Sequence, residues 1–86
     1  MTDMTDATIL IIEGRYAEIP SFATDLQKKG FDVEIARSGS DAVARLDNIA
    51  PHLVVVNAAS LRSSGVRICQ NLREKQDKLP IILILD

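Results

Sequence analysis

Three runs in the chain are apolar without interruption: Thr8-Ile9-Leu10-Ile11-Ile12, Leu53-Val54-Val55-Val56 and Ile81-Ile82-Leu83-Ile84-Leu85. Absence of polar alternation is the mark of parallel strands covered on both faces, so these runs predict strands, the first two interior. A fourth segment differs. Phe31, Val33 and Ile35 alternate with Asp32, Glu34 and Ala36, which predicts an edge strand with one face less covered. Between the strands apolar residues fall at helical spacing. Ile19, Phe22, Ala23 and Leu26 predict a helix over 19–29, with Pro20 in its first turn and Gly30 as its stop. Ala42, Val43, Leu46 and Ile49 form the stripe of a second helix, opened by Ser38-Gly39-Ser40-Asp41, whose Ser-x-x-Asp spacing is that of a capping box, and ended by Pro51. Gly65 to Lys75 makes a third, with Ile68, Cys69 and Leu72 inward and Arg67, Gln70, Asn71 and Arg73 outward.

Strands alternating with helices through short links predict an α/β fold with a parallel sheet and right-handed crossovers. Two continuous runs in the interior and an alternating strand at the edge match the flavodoxin-like strand order 2-1-3-4.

Composition narrows the function classes. With 86 residues, 47% hydrophobic and 26% charged, the chain has room for one domain and enough apolar surface to fold. Residues 1–7 read as a flexible, acidic tail and 8–86 as the domain. Ten Lys and Arg against twelve Asp and Glu leave a net charge of −2, and Arg62, Arg67, Arg73 and Lys75 are the densest basic group. That is too sparse to track a phosphate backbone, so no direct nucleic-acid binding is expected. Cys69 is the single cysteine, which excludes an internal disulfide or a Cys-based zinc site and fits a reducing, cytoplasmic setting. No apolar run approaches the roughly 20 residues that cross a bilayer, so no membrane partner is expected.

The strand ending in Glu13, the Ser38-Gly39-Ser40-Asp41-Ala42 turn, the Pro51-x-Leu-Val-Val-Val strand and Gly65 eight residues beyond Asn57 together resemble a response-regulator receiver domain over residues 8–86. The resemblance implies an acidic pair after the first strand that holds a divalent metal, an Asp ending the third strand that accepts a phosphoryl group, and a hydroxyl residue ending the fourth. At those positions stand Glu13-Gly14, Asn57 and Leu85. An amide forms no acyl phosphate, and one carboxylate is a poor cage for a hard cation. The family's fifth strand and last helix would follow Asp86. The expectation is therefore a degenerate, C-terminally incomplete pseudo-receiver of bacterial two-component signalling, with no catalysis, no metal and no cofactor.

Several residues carry both a sharp and a bland reading. Arg15 or Arg62 could fill the metal position and pair with Glu13; the rival is a solvated surface charge. Ser60, Arg62, Ser63 and Ser64 precede a helix and could bind an anion, but capping explains them more simply. His52 reads as a loop histidine, Cys69 as packing, and Tyr16 stays undecided between surface contact and cover. Ile81, Ile82, Leu83, Ile84 and Leu85 form an unprotected edge that needs a cover, from a continuing polypeptide or a second copy. The expected function is regulation by protein–protein contact, as a homodimer, through a covalently linked output domain, or with a sensor or regulatory protein. Two alternatives are an atypical phosphoacceptor receiver and a small-anion or ligand binder at the carboxyl ends of the strands.

Overall fold

The computed structural model describes residues 7–14, 21–61 and 64–85. In chain order they form β1 (Thr8–Ile12), α1 (Ser21–Lys28), β2 (Asp32–Ala36), α2 (Gly39–Ile49), β3 (Leu53–Asn57), a 3-10 turn (Ala58–Ser60), α3 (Gly65–Lys75) and β4 (Ile81–Ile84). The predicted start of the first helix, including Ile19 and Pro20, lies outside the described residues.

The four strands are all parallel in the order β2-β1-β3-β4, the flavodoxin-like arrangement expected from the pattern. β1 lies between β2 and β3, and its side chains go alternately to two cores. Leu10 and Ile12 join Val54 and Val56 of β3, Ala42 and Leu46 of α2, and Ile68 and Leu72 of α3. Ile9 and Ile11 meet Val55 and Ala23 on the opposite face, which α1 covers. Burial on both faces is why β1 and β3 tolerate no polar residue until they end.

One half of the edge-strand expectation changes. Val33 and Ile35 are partly buried against the α1 face as the alternation implies, but Ala36, assigned to the less covered face, is fully buried in the α2/α3 core. At that end of β2 the methyl group of Ala36 packs with Ala42 and Leu46 of α2, while Asp32 and Glu34 earlier in the strand stay exposed. Arg45 of α2 spans the remaining polar face, donating to the Ile35 carbonyl and the Asp41 carboxylate, 3.2 Å each. The fourth strand is one residue shorter than expected: Leu85 lies past it and is 65% exposed.

Caps set the helix limits. The Ser38 hydroxyl accepts the Asp41 N–H at 3.1 Å, and the Ser64 hydroxyl accepts the Arg67 N–H at 3.3 Å. Gly30, at φ 97°, takes the turn after α1 that a side chain would oppose. α2 ends at Ile49 and is capped by Ala50, just before Pro51, at φ 47°, ψ 58°. At the amino ends of the strands His52 is more than a loop residue: its Nδ1 accepts the Thr8 N–H at 2.9 Å while its own N–H donates to the Thr8 carbonyl at 2.8 Å. Among the described residues no helix is long and apolar enough to cross a membrane.

Because Ala50 sits in the left-handed region that disfavours a Cβ, Ala50→Gly is expected to raise stability in urea unfolding by about 1 kcal/mol. In the same assay Leu46→Ala, which empties a fully buried site in the core, is expected to lower it by about 3 kcal/mol.

Candidate functional site

The carboxyl ends of β1 and β3 are brought level by register. Ile12 pairs with Val56 on one side and Ala36 on the other, and Asn57 pairs with Ile84. Glu13 therefore follows β1 beside Asn57, and Leu85 follows Ile84, the β4 partner of Asn57, on the other flank. This is the end of an open α/β sheet where crossovers leave in opposite directions, the usual place for a crevice.

Glu13 extends the β1 ladder by one bond, its N–H donating to the Ala36 carbonyl at 2.9 Å. Its side chain turns inward and is 1% exposed, so it is not the solvated surface carboxylate that the sequence allowed. Oε1 is buried with no hydrogen-bond partner among the described residues. A buried, unpartnered acceptor is costly, and core strands otherwise avoid it.

Ser60 is the residue that sequence reasoning undervalued. Read there as part of a small, polar loop, it is buried at 5% exposure. Its hydroxyl donates to the Asn57 carbonyl at 2.8 Å and accepts the Gly14 N–H at 3.0 Å. The chain turns into the 3-10 segment at Asn57, φ −88° and ψ 83°, and Leu61 N–H closes it on the Ala58 carbonyl at 3.1 Å. Gly14 is packed so tightly that an added Cβ would run into the Ser60 carbonyl oxygen. No local pattern signals this contact, because its partners are 46 residues apart.

Residues 9–85 match the family model described as response regulator receiver domain. The chain belongs to this family. It is 32% identical over 76 residues to the response regulator MprA of Mycobacterium sp. (strain KMS), a match covering 88% of this chain and 33% of that protein. The chain thus spans about a third of the length of the curated relatives it matches. Its fold is that of the non-phosphorylated HemR receiver domain from Leptospira biflexa, with a TM-score of 0.76 at 22% identity, covering 91% of this chain and 63% of that one. It is equally similar in fold to a chain of the complex between the histidine kinase ThkA and the response regulator TrrA, with a TM-score of 0.77 at 22% identity, covering 91% and 67%.

In this receiver domain Glu13, Gly14, Asn57 and Leu85 gather at one end of the sheet, whereas Arg15, Tyr16, Arg62 and Ser63 lie outside the described residues. Ser64 caps α3. Cys69 is half-buried on α3, and desolvation pushes its thiol above the ordinary range, opposed in part by the Arg73 charge. A thiol held protonated is a poor nucleophile, so its alkylation by iodoacetamide at neutral pH is expected to be slower in the folded protein than in urea.

The buried Glu13 oxygen gives a second expectation. Glu13→Met keeps the length of the side chain and removes the unpartnered acceptor, and is expected to stabilise the domain by about 1 to 3 kcal/mol in urea unfolding.

Proposed function

We propose that this receiver domain signals by protein–protein contact and without phosphoryl transfer. The observation that carries the reading is the content of the carboxyl-end crevice: Asn57 at the end of β3, beside Glu13-Gly14. Phosphoryl transfer to a receiver needs a carboxylate nucleophile, and the Asn57 amide has no lone pair suited to forming a stable acyl phosphate. It also needs a hard cation to neutralise the incoming oxygens, held by carboxylates.

The donor set does not fit such a cation. Glu13 supplies one carboxylate, Gly14 supplies no side chain, and the space beside its Cα is taken by the Ser60 carbonyl. Leu85 has no hydroxyl for sensing a phosphoryl group. Ser60 itself is no substitute nucleophile, since its hydroxyl is buried and engaged in two hydrogen bonds.

The partners we infer are protein surfaces. A chain similar in fold comes from a complex of a histidine kinase with a response regulator, and the curated relatives are about three times as long as the segment matched. A linked output domain and a kinase-like sensor are therefore the partner classes for this module. Its contact surface in this reading is the β4 edge with the adjoining face of α3, where Ile82 is 49% exposed, Val66 54% and Leu85 65%.

The test is incubation of the protein with acetyl phosphate and Mg²⁺, followed by intact-mass measurement. No phosphoryl adduct is expected; an adduct dependent on Mg²⁺ would establish the atypical phosphoacceptor instead. Light scattering across a concentration series tests self-association through this apolar face, with a dimer expected, and a monomer throughout removes self-association from the reading.

A further inference from the structure

We propose that the Ala58–Ser60 turn is a lock that holds the receiver pocket shut, so that this domain is kept in one arrangement by its fold as well as by its missing carboxylates. The inference rests on the reading above that no phosphoryl group is used, and extends it to how the pocket is regulated.

Three groups form the lock. The Gly14 N–H donates to the Ser60 hydroxyl, and the Ser60 hydroxyl donates to the Asn57 carbonyl, at 3.0 and 2.8 Å. The chain of bonds joins the end of β1, the turn and the end of β3. The Gly14–Ser60 bond is buried and the Ser60–Asn57 bond partly so, and opening them without water access strands a donor and an acceptor. Packing closes the same gap from the other direction. The Ser60 carbonyl lies where a side chain at position 14 would begin, with its carbon 3.1 Å from that Cβ site. Only glycine permits the turn to sit there, and the turn in turn removes the space that a cation-binding side chain would need.

The lock reaches the signalling surface. Gly65, the first residue of α3, is wedged between the turn and β4: a Cβ there would lie 2.7 Å from the Ala58 Cβ and 2.8 Å from Leu83 Cδ1. With this little clearance the turn cannot shift without moving the start of α3 or the β4 side chains, because packed interiors transmit displacement and do not absorb it. A fixed turn therefore fixes the α3/β4 face in the geometry it presents to a partner.

The experiment restores the nucleophile position and then releases the lock. Asn57→Asp places a second carboxylate beside Glu13, and Mg²⁺ binding is measured by calorimetry in this variant, in Asn57→Asp/Ser60→Ala and in Asn57→Asp/Gly14→Ala. The first removes the hydroxyl bridge; the second keeps the hydroxyl and displaces the turn with a methyl group. The lock predicts that Asn57→Asp alone binds Mg²⁺ at least 10-fold more weakly than the released variants. If Ser60→Ala does not fold, Gly14→Ala gives the same reading independently. Equal affinity in all folded variants, or no binding by any of them, overturns the lock. That outcome is distinct from failure of the functional reading, which is decided on the native chain by its reaction with acetyl phosphate.

Discussion

Burial of β1 and β3 on both faces is the constraint on which the rest of this structure depends. Ile9 and Ile11 face α1 while Leu10 and Ile12 face α2 and α3, and all four are at most 4% exposed. A strand in that position has no solvent side, so polar chemistry is excluded along its length and is displaced to its carboxyl end. Glu13 and Asn57 are the first residues past the apolar runs, and the parallel register sets them side by side. The site is thus a consequence of the sheet: where the core stops, the first polar groups meet.

What those groups do depends on how their hydrogen bonds are satisfied. Ser60 has a donor and an acceptor and uses both, which lets a hydroxyl be buried at little cost. Glu13 is as deeply buried, yet one carboxylate oxygen is left without a partner among the described residues. The two stand within one crevice and represent opposite solutions. The serine closes the space between loops; the carboxylate is held there by the strand it ends, its backbone tied to Ala36.

The helices carry this arrangement outward. α2 and α3 approach closely enough that a Cβ at Gly39 would lie 2.6 Å from Ile68 Cγ1, and both begin with a serine cap near the carboxyl end of the sheet. Membership of the receiver family explains the scaffold, and the reading proposed for its function rests on the residues at positions 14, 57 and 85. Fold and chemistry separate here because the core residues that define the sheet are different residues from those that line its crevice.

The sequence by itself determined the parallel sheet, its order, the three helical stripes and the serine cap at Ser38, because periodicity and capping are local properties carried by neighbouring side chains. The resemblance to the receiver family singled out Glu13 and Asn57, which end two of the apolar runs. Tertiary structure alone decided that Ala36 is buried, that His52 bonds to Thr8, that Glu13 is shut away from water and that Ser60 bridges Gly14 to Asn57. Each of these joins segments distant in the chain, and a local pattern states which face a residue occupies but not which residue awaits it there. Ser60 reads as loop vocabulary until the sheet's register carries Gly14 to it; only then does a small polar residue become the bond that closes the pocket.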